Sequence, residues 1–189
     1  MKTQIGAVNS LYPMPTTIVG ALVNTTSNYI TIAYVGIMDL DSCQSAFSMG
    51  MNKVHCTNVG IKENGTFSVN IPSVHMVKQT DYCGLVSGRN FNNATLFKTF
   101  YGKLKTAPMI EECPINMECT LVKTVDFPNH DVFVGKIIAT YSDDEVLTRD
   151  AVDFEKVQPI LFSMNNQDYW RLGKRLAKAW NIGKELTNQ

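Results

Sequence analysis

In the stretch NKVHCTNVGIKENGTFSVN, residues 52–70, the basic side chains Lys53 and His55 stand just before a Thr57-Asn58 pair and a short run of helical character. Lysine and protonated histidine attract anions. A threonine hydroxyl and an asparagine amide donate hydrogen bonds, and a helix start adds unpaired N–H groups with a partial positive charge. Together these types make a grip for a phosphate. The same residues equally compose an ordinary helix capped by Thr57 with solvated basic neighbours, and the local sequence is compatible with both readings. The remaining chemistry-bearing residues are scattered. Cys83 in DYCG either faces a ligand or is a buried, inert thiol, the commoner fate. Cys113 and Cys119 in ECPINMEC fit no familiar redox spacing, and His75 and His130 lack a Ser or Cys partner and read as surface histidines. There is no triad, no paired carboxylates and no metal cluster. Neither G-x-G-x-x-G nor G-x-x-x-x-G-K-[ST] occurs, so a nucleotide-like cofactor would bind on a scaffold other than a Rossmann fold or a P-loop.

The elements around the grip are mostly strands. IVGALV, 18–23, and YITIAYVG, 29–36, flank a polar NTTSN turn and predict a hairpin. SAFSMGM, 45–51, predicts a strand whose small residues and Gly50 admit a flat ligand close to the backbone. A helix is expected from its cap at Thr57 to a stop at Gly65. FSVNIP follows, with Phe67, Val69 and Ile71 on one face and Pro72 ending it. Ser73 to Cys83 predicts a helix with Ser73 as cap and Gly84 as exit, and 85–95 predicts a loop. ECTLVKTVDF and DVFVGKIIATYS around PNHD predict a second hairpin, and PILF, 159–162, a short strand. Beyond Asp168, Leu172, Leu176 and Trp180 recur at helical spacing, with Arg171, Lys174, Arg175 and Lys178 outside that stripe. This predicts a main domain over 1–165 and a C-terminal helical arm over 166–189, packed on the barrel or on a partner subunit. Many strands and few short helices favour an antiparallel barrel with peripheral helices over a parallel doubly wound sheet.

The chain has 189 residues, enough for one domain with a real core. Apolar residues make 44% and charged residues 18%, which excludes disorder. Lys plus Arg balances Asp plus Glu at 17 each, so no general pull toward nucleic acid or a membrane surface exists and any anion site is local. No apolar run reaches the length of a membrane span, and MKTQIGAVNSLYPMP lacks the apolar centre of a secretory signal. The expected compartment is the cytoplasm. Five cysteines, an odd number without C-x-x-C spacing, read as reduced structural thiols.

The order and spacing of several landmarks resemble one family. They are YPMPTTIVGA at 12–21, NYITIAYVGI at 28–37, KVHCTNVGIKENGTFSVNIPS at 53–73, DYCGLVSG at 81–88, APMIEECPINMEC at 107–119 and AKAWNIGKEL at 177–186. The chain is identified by them as a member of the flavin reductase-like family, within its flavoredoxin-type branch. The resemblance implies an FMN-binding split β-barrel, mainly β with peripheral helices, that forms homodimers with one FMN per subunit. It maps Asn28, Thr31, Ala33 and Tyr34 beside the flavin ring, lines the cofactor with the backbone of Gly50, Met51, Asn52 and Lys53, and holds the phosphate with Thr57 and Asn58. Ser87, Gly88 and Arg89 would close over it. His55 joins this set because it adjoins the phosphate motif. The implied activity is hydride transfer from NADH or NADPH to the flavin and onward to free flavin, a metal chelate or a small redox protein. An FMN electron carrier reduced by a partner protein, or a scaffold that has lost its cofactor and only dimerises, would share the fold. The chain departs from the family in Ala33, where serine is common, in MDLDSCQSAF at 38–47, in Cys56, often aromatic, and in Asn92-Asn93, often an Asp-Lys pair.

Overall fold

The computed structural model describes residues 1–40, 45–86 and 93–188. The first hairpin pairs β2 (Thr17–Val23), which follows the short β1 (Met14–Pro15), with β3 (Thr26–Ile32). Asn24 and Thr25 make its two-residue turn, both with positive φ, which matches the twist of the strands they join. Next come β4 (Val35–Asp39), β5 (Ala46–Asn52), helix α1 (Thr57–Asn64), β6 (Thr66–Ile71) and helix α2 (Val77–Leu85). The short pair β7 (Thr99–Phe100) and β8 (Met109–Ile110) precedes the long hairpin β9 (Ile115–Asp126) and β10 (His130–Ser142). A small pair, β11 (Leu147–Thr148) and β12 (Ala151–Val152), then a single turn, α3 (Phe154–Val157), lead to β13 (Ile160–Ser163) and β14 (Asp168–Arg171).

Seven strands form one antiparallel sheet in the order β3-β2-β6-β9-β10-β5-β4. Its two edges, β3 and β4, are consecutive in the chain and joined only through Ala33 and Tyr34. The sheet therefore curls until its edges nearly meet, which makes a barrel split along one seam. Alternate residues of the strands point into it: Val19, Ile30, Met49, Met51, Phe67, Val69 and Phe133 are fully or almost fully buried in one cluster, with Ile61 of α1 beside them. Phe67 and Val69 lie there as their alternation predicts, and Ile71 packs against the same cluster. The opposite face of the first hairpin is covered by α2, whose Cys83 packs with Ile18, Tyr29 and Phe97.

Two expectations change. The segment after Ser73 begins as a 3₁₀ turn, Val74–Met76, without a capping bond from Ser73, and α2 runs through Gly84 to Leu85. The C-terminal arm is not a helix: β14 extends the small β1-β13-β14 sheet, residues 172–178 carry no regular structure, and a 3₁₀ segment follows at Ile182–Asn188. Leu176 and Trp180 are almost wholly exposed. An isolated apolar stripe does not sustain a helix, because packing of that stripe supplies most of a helix's stability.

Candidate functional site

The seam opens into a cleft of about 450 Å³. Thr31, Ala33 and Tyr34 line it from the strand crossing, Gly50 and Asn52 from β5, and His55 from the turn before α1. These six were all singled out by the sequence. A smaller cleft of about 220 Å³ shares His55, Gly84 and Leu85 with the first, and is lined by Asn28 and by the chain entering α1, including Cys56 and Thr57. Neither Gly50 nor Gly84 is forced by packing: an added Cβ would lie 3.5 Å from Tyr34 and 3.6 Å from Thr31, ordinary contacts. Their lack of a side chain keeps both walls flat.

Asn52 builds the turn that leads into α1. Its Oδ1 accepts from the Val54 N–H at 3.1 Å, and its carbonyl accepts from the His55 N–H and from Asn58 Nδ2, each at 3.1 Å. The helix begins at Thr57 with Cys56 in the cap position. Thr57 is therefore not the cap. Cys56 is already in helical geometry (φ −68°, ψ −25°), and Thr57 Oγ1 donates sideways to Asn28 Oδ1 at 2.7 Å. No side chain caps α1, and no acidic residue sits in its first turn. The Asn58 and Val59 N–H groups reach the His55 and Cys56 carbonyls. The Cys56 and Thr57 amides have no hydrogen-bond partner among the described residues, and both residues line the smaller cleft. A side-chain cap would take the Asn58 or Val59 amide, which the turn carbonyls already hold, so the Cys56 and Thr57 amides at the cap and first helical positions are the ones left open. Here they stand ready for an anion.

His55 is half-buried, and burial, then the nearby His130, hold its pKa below the ordinary 6.5. A phosphate at the helix start would oppose both effects. The other predicted grip residues face elsewhere. Lys53 Nζ pairs with Asp126 at the tip of the long hairpin. Asn58 is buried and ties α1 to β10 through Asp131 Oδ2 at 3.4 Å, while its own Oδ1 is without a partner. Lys62 Nζ meets the same Asp131 oxygen at 2.7 Å. The Met51 side chain is in the barrel core. Ser87, Gly88 and Arg89 lie outside the described residues.

The cleft residues that were not anticipated include His130, Asp81, Phe162 and Tyr169. His130, read as a surface residue, lines the cleft with its ring 6.3 Å from that of Tyr34. Asp81, Phe162 and Tyr169 line it as well. Tyr169 donates to Asp81 Oδ1 at 3.1 Å, and burial, then this carboxylate, push its phenol up to about 12. Nothing local in the sequence marks these positions. They meet the cleft through long-range pairing, as where His130 sits opposite Asn52 in the β10–β5 register. Asn93, in the departure at 92–93, is buried and bonds both the N–H and the carbonyl of Tyr29, in the manner of an added strand.

A split antiparallel barrel with an anion-ready helix start opening beside a flat cleft is a flavin-binding scaffold. The chain belongs to the flavin reductase like family, whose domain matches residues 9–166. It is similar to a flavoredoxin from Methanosarcina acetivorans, with 44% identity and a TM-score of 0.95 over 98% of this chain and 99% of that one. A flavoredoxin of Desulfovibrio vulgaris is 30% identical, with a TM-score of 0.89 over 97% of this chain and 100% of the other. Nitrilotriacetate monooxygenase component B from Bacillus cereus shares the fold at 16% identity, with a TM-score of 0.82 over 94% and 98% of the two chains. Among the described residues, no helix is long and apolar enough to cross a membrane.

Proposed function

We propose that this protein is an FMN-binding oxidoreductase that accepts hydride from NADH or NADPH and hands the electrons to free flavin, a metal chelate or a small redox protein. The observation that carries this reading is the uncapped start of α1, which opens into a cleft continuous with the flat walls of the seam. In this reading the Cys56 and Thr57 amides and the His55 imidazole hold the phosphate. Asn28 fixes the Thr57 hydroxyl, and Asn58 fixes the helix. Thr31, Ala33, Tyr34, Gly50 and Asn52 present the surface for the ring, with the backbone of Met51 and Lys53 running beneath it. When bound, the flavin supplies direct hydride chemistry that needs no general base from the chain. The chain's own part is to hold the anion, keep a flat wall and limit access of water. An absorbance spectrum of the purified protein, taken before and after NADH or NADPH, tests this. Bleaching of the flavin bands with turnover is expected. A flavin that neither nucleotide reduces would remove the reductase reading.

The second reading is an FMN electron carrier reduced by a partner protein, favoured by the similarity to two proteins named flavoredoxin. Stopped-flow mixing with NADH separates the two, since a carrier shows no direct reduction. A cytoplasmic homodimer fits either. Its support is the apolar surface left uncovered on the C-terminal segment, where Leu176, Trp180 and Leu186 are exposed. The arm proper would then begin at Leu172 and pack on the second copy, and a chain ending at Arg171 should sediment as a monomer.

A further inference from the structure

Arg171, Lys174, Arg175 and Lys178 follow one another along 171–178, a stretch that holds no acidic residue. The first three line a cleft of about 570 Å³ with Phe154, Glu155 and Gln158, where the chain leaving β14 passes beside α3. Among the described residues none of these three cations makes an ion pair; the pairs there are Lys53–Asp126 and Lys62–Asp131. Glu155 is the one carboxylate in the described lining, so three cations stand against one anion. Like charges gathered without partners repel one another, and an anionic ligand relieves that cost. The Phe154 ring beside them is 57% exposed, an aromatic face open to a flat partner. This cleft is used neither by the flavin nor by Leu176, Trp180 and Leu186, the apolar residues assigned to the second copy.

The basic cleft begins two residues along β14 from the flavin cleft. Tyr169 lines the flavin cleft, Arg171 the basic one, and both line a small groove of about 170 Å³ with Val74, Val77 and Ile160. Two residues span about 7 Å of strand, short against the length of an extended dinucleotide. We propose that the basic cleft holds the 2′-phosphoadenosine end of NADPH, and that this chain therefore prefers NADPH to NADH as its hydride donor. This rests on the reading of the protein as a flavin reductase. The two nucleotides differ only in that phosphate, a monoester with about two negative charges at neutral pH. Two guanidinium forks and an ammonium are the side-chain groups that bind phosphate best. The adenine ring has its counterpart in Phe154, and the Gln158 amide offers a donor and an acceptor to its edge. A carboxylate alone would suit the free ribose hydroxyl of NADH. Here Glu155 is outnumbered by cations, which favours the phosphate.

The probes 2′,5′-ADP and 5′-AMP share adenosine and a 5′-phosphate and differ by the 2′-phosphate. Their affinities for the FMN-saturated protein, in which the α1 grip is filled, would be measured by equilibrium dialysis at about 10 mM ionic strength, where screening is weak. The bisphosphate should bind about tenfold more tightly, the effect of roughly one charge-assisted phosphate contact. Lys174→Gln combined with Arg175→Gln, both at exposed positions, should shrink that ratio to about twofold or less. In stopped-flow mixing, flavin reduction should half-saturate at about tenfold less NADPH than NADH, and the double variant should bring the two together. Equal binding of the two probes, or a ratio that the double variant leaves untouched, overturns the proposal. So does pyrophosphate that binds as tightly as 2′,5′-ADP, since the cleft would then sort by charge alone. Reduction by both nucleotides with equal half-saturation overturns it too, and leaves the flavin reductase reading in place. Reduction by neither sinks that reading and the hydride preference with it, while the dialysis still decides whether the cleft takes a 2′-phosphate.

Discussion

Helix α1 and the C-terminal arm invite comparison because the sequence describes the arm as the better helix. The arm has Leu172, Leu176 and Trp180 in a regular stripe with four basic residues outside it. TNVGIKEN has a glycine in mid-helix and two asparagines, all poor helix formers. Yet α1 is helical and the arm is not. Helix α1 has a surface to lie on: Ile61 enters the barrel core, and Asn64 Nδ2 reaches the Leu22 carbonyl at 3.0 Å. Of the arm's stripe, Leu172 is partly covered, but Leu176 and Trp180 are almost wholly exposed. Helical spacing is a condition, and a receiving face is the cause.

The sharpest way to break this comparison is to substitute one glycine in each segment. A Cβ at Gly60 would come within 2.1 Å of the Leu22 carbonyl oxygen, a backbone atom that cannot swing away. Replacing a mid-helix glycine by alanine ordinarily stabilises by up to about 1 kcal/mol. Here the collision reverses the sign, and Gly60→Ala should lower unfolding free energy by about 3 kcal/mol in a urea titration. Gly173 has nothing within 4 Å of its added Cβ, so Gly173→Ala should leave the midpoint unchanged. A stabilised Gly60→Ala would mean that α1 does not rest on β2.

Next in size is the polar tether under α1. Asp131 is buried and accepts from Lys62 and Asn58, but the Lys62 side chain is about half exposed, so solvent screens the pair. Asp131→Asn should cost about 1–2 kcal/mol, less than a fully buried pair would lose. It should also weaken FMN binding severalfold, because the helix start would lose its alignment. Arg175→Gln in the exposed arm should change neither quantity in the monomer. Equal effects in the two segments would erase the distinction between them.

The strands and the position of helix α1 were legible because their signals are local. Period-two alternation around Phe67 and Val69, the turn at 24–25 and Gly65 in the left-handed region that ends α1 are each decided within a few residues. The roles inside the grip were less so. Lys53, Asn58 and Thr57 adjoin the helix start in sequence, but Asp126, Asp131 and Asn28 decide where each points, and those partners are 73, 73 and 29 residues away. The Asp81–Tyr169 pair in the cleft had no local signature at all. Asp81 and Tyr169 are 88 residues apart and meet only because β13 and β14 fold back beside α2. The arm failed for the opposite reason, a strong local signal without the surface that would realise it.

A smaller effect should come from pH. The folded protein holds His55 below 6.5, so as pH falls the unfolded chain takes up that proton first. His55 therefore contributes stability that is present above 6.5 and is lost as pH falls from there through its depressed folded value. The apoprotein should lose thermal stability over that window, and His55→Gln should remove part of the loss. Phosphate bound at the helix start would raise the folded pKa of His55 and flatten the same curve, so FMN should protect the wild type more than the variant. An identical pH dependence in both would separate His55 from the anion grip. The arm has no histidine, and its truncation should leave the slope as it was.

The smallest expected effect is at Lys53, and it tests whether position in the sequence or position in the fold defines the grip. Lys53 is nearer to Thr57 in the chain than any other cation, and charge alone would assign it to the phosphate. Its ammonium instead pairs with the exposed Asp126, whose carboxyl the hydrogen bond and charge of Lys53 hold below its ordinary value. An exposed pair of this kind contributes little to stability. It also orients the side chain toward the hairpin tip, away from the residues that line either cleft. Lys53→Gln should therefore leave both the unfolding midpoint and the FMN affinity, read by quenching of flavin fluorescence, within error of the wild type. A tenfold loss of affinity would mean that Lys53 leaves Asp126 for the phosphate when FMN binds. The grip would then depend on charge drawn from outside the cleft, in addition to the bare helix start.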